Sequence, residues 1–305
     1  MKPKNCLSIM ENNVIFICPS WEERSYLGFI KDCDDTIPSK VVLIKKVRPI
    51  NEREIINSIN SIIDVCNNRQ IEHETIEWNA ASSENWRELQ TRLNKLLNTN
   101  NKIQLDITTM PRDILWTLLF FFSQYSNHVD VRYYQPCSYN DTWLSREPAN
   151  PQFLLKHSGI VELGKPTCLV VITGFDTERT KQIVKKFEPQ RIVLCIQEGE
   201  QFGNSIRNKD IIHKRSCNLL GSTNVTITQI NAYSDDFGFG TINSLLNELS
   251  KYNVILASFG PKPSAIGAYL AYQHHPNIAL CYVPCKEFNK EYCKGLGNLF
   301  KMSFK

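Results

Sequence analysis

The chain has 305 residues, 42% of them apolar, a formal net charge of +4 and 11 cysteines. That length holds two ordinary domains with substantial cores, and the scattered basic residues permit an anionic ligand without demanding a nucleic-acid groove. The longest apolar run, Ile114 to Phe122, is far too short to cross a bilayer, and Met1 to Met10 lacks the apolar region of a signal peptide. Cys18, Cys168, Cys195 and Cys281 lie in apolar, strand-like runs, where a free thiol acts as a small hydrophobe. The odd cysteine total favours a reducing compartment, so a cytoplasmic location is expected.

Asn13 to Cys18 reads as a fully buried strand, and the turn Pro19 to Ser25 follows it, with Ser20 and Glu23 at capping-box spacing. Lys40 to Ile44 is a second strand, Glu52 to Asn67 an amphipathic helix, Glu72 to Trp78 a third strand and Glu84 to Leu97 another helix. A fourth strand, Lys102 to Ile107, ends in the polar turn Thr108-Thr109-Met110-Pro111-Arg112, which opens an apolar helix at Asp113. Thr108 or Thr109 is expected to cap that helix, Pro111 suits its first turn, and Arg112 adds a positive charge where a helix amino terminus already attracts anions. Val129 to Pro136 is a fifth strand.

From Ser145 to Pro166 the prolines and glycines suit a linker. The pattern then begins again: a strand at Thr167 to Thr173, a turn and helix at Gly174 to Thr180, a strand at Arg191 to Ile196 and a polar loop at Gln197 to Asn208. A helix around Lys209 to Leu219, a strand at Asn224 to Ile230 and a helix at Gly240 to Lys251 follow. Val254 to Pro263 repeats the strand–turn–helix corner, and Ile278 to Pro284 is the last strand of the unit. Glu23-Arg24-Ser25 and Glu178-Arg179-Thr180 stand 155 residues apart, Asp106 matches Ser258 and Pro111 matches Pro263 at 152, and Pro136 matches Pro284 at 148. Such a small drift across five strands indicates an internal duplication.

The expected fold is therefore α/β, with two tandem Rossmann-like units and mainly parallel sheets: an amino-terminal unit at 1–145, a linker at 146–166 and a carboxy-terminal unit at 167–305. The tail Glu287 to Lys305, basic and aromatic, is expected to pack over the second sheet with its lysines in solvent.

In doubly wound sheets ligands bind at the carboxyl edge where strand order reverses, beside the first and fourth strands. In the first half this groups Ser20, Glu23 and Arg24 with Asp106, Thr108, Thr109 and Arg112. In the second it groups Thr173, Asp176 and Arg179 with Ser258, Gly260 and Lys262. Cations, hydroxyls and helix amino termini suit phosphate or another oxyanion. For Glu23–Arg24 and Glu178–Arg179, salt bridging is an equal alternative to ligand contact.

No dedicated nucleophile stands out. Cys281, Cys285 and Cys293 with His274 or His275 fit no standard zinc spacing, Gly238-Phe239-Gly240 lacks a third glycine, and no Walker motif occurs. Neither a metal nor a cofactor is expected. Tyr133, Tyr134, Tyr282, Phe288 and Tyr292 are core or rim residues, with base stacking as the alternative.

The turns Thr108 to Arg112 and Gly260 to Pro263, with Ser20 to Ser25 and Gly174 to Thr180, resemble those of the CARF family, the CRISPR-associated Rossmann-fold domains, and their SAVED relatives in antiphage defence. No stretch spells that family's glycine–threonine–lysine turn. The resemblance covers the architecture of nearly the whole chain. It implies a sensor that binds a nucleotide-derived anion, such as a cyclic oligonucleotide, between two halves and signals to a separate effector protein. The alternatives are a metal-independent phosphodiesterase or ring nuclease acting on that ligand, and a non-catalytic scaffold of a defence complex. A homo-oligomer stays open, nucleic acid is not favoured as a partner, and a membrane is not expected.

Overall fold

The computed structural model describes residues 13–47, 49–79, 83–97, 102–125, 128–199 and 206–304; the leader reading at Met1 to Met10 lies outside them. The chain divides into two compact units, 1–141 with 290–305, and 142–289. Each unit is built on a six-stranded, mainly parallel sheet.

In the first unit β1 (Asn13–Ile17), β2 (Lys40–Lys46), β3 (Glu72–Trp78), β4 (Lys102–Asp106) and β5 (Val129–Tyr134) alternate with α1 (Arg24–Asp35), α2 (Glu52–Asn68), α3 (Ser83–Leu97) and α4 (Arg112–Phe122). All five residues of β1 are buried, as a central parallel strand covered on both faces requires. In α2 the buried residues Ile55, Ile59, Ile62 and Cys66 fall on one helical face, which joins the core around Ile15, Ile17 and Leu43. Almost every residue of α4 is buried, matching its apolar sequence.

β6 (Ser138–Tyr139), β7 (Ser145–Pro148) and β8 (Gln152–Phe153) lead to the second unit. There β9 (Thr167–Ile172), α5 (Thr177–Phe187), β10 (Arg191–Gln197), α6 (Asp210–Ser216) and β11 (Val225–Ile230) are followed by α7 (Phe239–Glu248), β12 (Asn253–Ser258), α8 (Lys262–His274) and β13 (Ala279–Tyr282). The last strands are β14 (Cys285–Phe288), β15 (Cys293–Lys294) and β16 (Leu299–Phe304). The sheet orders are β16-β5-β4-β1-β2-β3 and β8-β13-β12-β9-β10-β11, the same arrangement twice, each with an antiparallel strand beside its fifth parallel strand.

Those antiparallel strands come from unexpected places. The residues read as a linker hold β7, paired with β14, and β8, paired with β13, so 142–166 belongs to the second unit. The tail expected over the second sheet instead runs along β5 of the first, from Leu299 opposite Tyr134 to Phe304 opposite Val129, while β15 pairs with β6. The reason is backbone hydrogen bonding: β5 would otherwise present an unpaired edge, and the alternating tail sequence can fill it.

The ladders also fix how the repeats correspond. Ile17, opposite Asp106, packs on the core face with Phe29 and Cys33 of α1, as Val171, opposite Ala257, packs with Ile183 of α5, which makes Ala257, not Ser258, the counterpart of Asp106. Pro111 and Pro261 precede the first residues of α4 and α8, so Pro261 rather than Pro263 matches Pro111, and Arg112 and Lys262 are both first helical residues.

Cutting the chain after Asn289 removes β15 and β16 and exposes the edge of β5, including the buried Val131 and Tyr133. The expected outcome is insoluble protein or a Tm lower by roughly 10 °C or more, the shift that several kcal/mol gives in a unit of this size. Thermal denaturation of the truncated and full chains checks it.

Candidate functional site

In the first unit the turn after β4 is held by side chains that tie it to its neighbours. Asp106 Oδ1 accepts the Thr108 N–H at 2.8 Å, Thr108 Oγ1 accepts the Tyr134 N–H at 3.0 Å, and Thr109 Oγ1 donates to the Cys18 carbonyl at 2.8 Å. The expected threonine caps do not form: Pro111 occupies the cap position of α4 in extended conformation, with no side-chain cap bond, and the hydroxyls are directed to the ends of β1 and β5. Arg112, first in α4, is buried.

The turn after β1 also departs from its expected capping box. Ser20 Oγ accepts the Glu22 N–H and the Ser20 N–H donates to Ser25 Oγ, both at 3.3 Å, while Glu23 stands at the cap without a side-chain cap bond. Arg24 is buried, donating to the Tyr134 carbonyl at 2.7 Å and to Glu22 at 2.6 Å. Glu23 accepts the Gly295 N–H at 2.8 Å, and the Cys293 thiol donates to Glu22 at 2.9 Å. Arg24 thus pairs with Glu22 rather than Glu23, and this turn is stitched to the returning tail.

In the second unit Asp176 caps α5, accepting the N–H groups of Glu178 at 3.0 Å and Arg179 at 3.4 Å. Its other oxygen accepts from Arg179 Nε at 2.9 Å and from Ser145. Burial alone would raise this carboxyl, but the guanidinium and the Ser145 hydroxyl hold it below its ordinary range. Arg179 therefore pairs with Asp176, not Glu178. Thr173 Oγ1 donates to the Cys195 carbonyl at 2.9 Å, and Ser258 shares a hydrogen bond with Ser264 at 3.1 Å. Gly260 packs so tightly that a Cβ there would lie 2.6 Å from both Gln197 Nε2 and the Thr173 carbonyl. Lys262 opens α8 and is partly exposed.

Thr108 and Thr109 thus meet the ends of β5 and β1, Thr173 and Gly260 meet each other, and Asp176 and Arg179 join Ser145. Tyr133, Tyr134 and Tyr282 are core residues, and Tyr134 donates from its hydroxyl to Asp32 at 2.7 Å. Gln197, at the carboxyl end of β10, lies against Gly260 in this corner, although in the sequence it reads as the start of a polar loop. Aligning the two repeats through their second strands is the signal that finds it. Among the described residues ten cysteines are free thiols, and no group of three or more His, Cys, Asp or Glu is placed to hold a metal ion. No helix among them is long and apolar enough to cross a membrane.

Asp106 is the most perturbed acid in these corners. Burial, and then the nearby Asp32 charge, push its carboxyl up to about 6 from 3.8, and its Oδ2 is buried with no hydrogen-bond partner among the described residues. A carboxyl raised on folding stabilises the fold when protonated, and that contribution is lost as pH rises from 3.8 through about 6. Asp106→Asn is therefore expected to raise Tm by a few degrees at pH 7 and to leave it unchanged near pH 3.5, as a thermal melt across pH would show. Lys46 Nζ lies 3.0 Å from the buried Asp113 carboxylate on α4. Lys46→Met leaves that charge without its cation and is expected to cost about 1–3 kcal/mol, measured by denaturant unfolding.

No family profile matches the sequence, and no curated protein does. Among solved structures, a type III CRISPR defence DNA nuclease activated by cyclic oligoadenylate superposes with a TM-score of 0.53 at 7% identity, over 85% of this chain and 64% of the nuclease. The cytoplasmic domain of a prokaryotic cation chloride cotransporter (TM-score 0.29, 10% identity, 92% of this chain and 98% of that one) and Acinetobacter baumannii MurG (0.22, 11%, 81% and 71%) are far less similar. The chain spans less than two thirds of the nuclease, and at this identity the likeness is one of fold.

Proposed function

We propose that this chain is a CARF-like sensor that binds a nucleotide-derived anion of the cyclic oligonucleotide kind at the carboxyl edges of its sheets and passes the signal to a separate effector. The observation that carries the reading is the fold likeness to a nuclease activated by cyclic oligoadenylate. Two local features support it. Each unit places a cation, Arg112 or Lys262, as the first residue of the helix after its fourth parallel strand, where helix N–H groups and side-chain charge act together on an anion. Arg24 and Arg179 pair with Glu22 and Asp176 and shape the turns around those helix starts.

Titrating cyclic oligoadenylate against the purified chain, by calorimetry and by thermal shift, tests this. Saturating ligand is expected to raise Tm, and Lys262→Ala to weaken binding roughly tenfold through loss of one charge-assisted contact. Absence of any shift with cyclic or linear oligoadenylates sinks the ligand reading and leaves the scaffold role.

A second reading, turnover of the ligand, is favoured by Asp106 alone, whose raised carboxyl with one unpartnered oxygen is of the kind that serves as a general acid or base. Chromatography of the ligand after incubation separates the two: linear product lost in Asp106→Asn supports catalysis, and intact ligand supports sensing.

A further inference from the structure

In the second unit the carboxamide of Gln197 is buried at 2% exposure, and neither its nitrogen nor its oxygen has a hydrogen-bond partner among the described residues. Its place is the carboxyl edge of the sheet: the last residue of β10, near Thr173 just after β9 and against Gly260 in the turn that leads to Lys262. Asn208, also buried, donates to the Gln197 main-chain carbonyl at 2.5 Å and keeps its own Oδ1 unpartnered. Native folds rarely bury a full amide unpaired, since each lost hydrogen bond to water is uncompensated.

The first unit shows what the same position looks like when it is satisfied internally. The ladders put Ile17 opposite Leu43 and Val171 opposite Leu194, so Lys46 is the counterpart of Gln197. Lys46 is paired with Asp113, the second residue of α4. In α8 the second residue is Pro263, which has no polar side chain, and the strand position is an uncharged amide. The second unit thus lacks both halves of the ion pair and holds in its place a group that offers one donor and one acceptor side by side.

We infer that Gln197 is a specificity-determining residue of the second unit that reads a planar ligand edge presenting an adjacent donor and acceptor, as the edge of a nucleobase does. The inference rests on the proposed nucleotide-sensing function and deepens it: the cationic corner at Lys262 takes the phosphate, and the amide beside Gly260 takes the base. A glutamine side chain is suited to the N6 and N7 groups of adenine, with its N–H donating and its oxygen accepting. Gly260 makes room for the amide in this corner, because any side chain there would collide with it.

The test is a double-mutant cycle in which one change is in the protein and the other in the ligand. Gln197→Leu and Gln197→Met are assayed by calorimetry with cyclic oligoadenylate and with its N6,N6-dimethyladenine counterpart, which lacks the N–H donors. The expected result is an unliganded Tm equal to or above that of the unsubstituted chain, because an unpaired amide has been removed, together with a roughly tenfold to hundredfold loss of affinity. Dimethylation is expected to weaken binding to the original chain by a similar factor and to have little further effect on either variant. A fall in unliganded Tm in both variants, additive effects, or unchanged affinity in the variants overturns the role of Gln197 while leaving nucleotide sensing intact. Failure of the unsubstituted chain to bind either ligand overturns both.

Discussion

The first sheet depends on a backbone ladder whose two halves lie far apart in the chain. β5 has β4 on one side and β16 on the other. The same requirement recurs in the second sheet, where β8 lies beside β13. An open edge offers unpaired N–H and C=O groups to any passing strand, so each sheet needs its antiparallel neighbour. Connectivity meets that need by exchange: the segment after β5 supplies β7 and β8 to the second unit, and the segment after β13 supplies β15 and β16 to the first. Glu22, Glu23 and Arg24 then use the returning tail, through Cys293 and Gly295, to hold the turn after β1.

Much of this could be read from local sequence. The buried runs at β1, β9, β10 and β12 are continuous apolar segments, and their alternation with amphipathic helices such as α2 specifies parallel sheets covered on both faces. What failed was non-local or depended on single-residue geometry. Leu299 to Phe304 carries no mark of its partner, since a strand pattern does not say which edge it will join. Ser20 and Glu23 have capping spacing, yet the Ser25 and Glu22 groups nearer at hand take the hydrogen bonds of Ser20. Pro261 and Pro263 both suit a helix start, and only the structure shows α8 beginning at Lys262 between them. Arg112 and Lys262 could each be placed near a helix start from the turn residues around them, but that both are first helical residues shows only in the structure.

The duplicated units have diverged at their carboxyl edges. Asp106 in the first has Ala257 as its counterpart, so one edge keeps a raised acid and the other has an apolar methyl group there. Lys46 with Asp113 corresponds to Gln197 with Pro263, so a closed ion pair in one unit becomes an open amide in the other. Side-chain chemistry at the strand ends thus differs between the units while strand order is preserved, as two copies of one fold permit.

The exchange of edge strands also has a consequence for how the protein is made. Tyr134 in β5 pairs with Leu299 in β16, so about 165 further residues must be added before the first sheet can close. At ordinary elongation rates of roughly 5–20 residues per second, that wait is on the order of ten to thirty seconds. During it the second unit can assemble its own parallel core while β5 stays open. A ribosome that stops early therefore leaves an aggregation-prone edge rather than a working first unit, and only chains carried through β16 present both sheets closed.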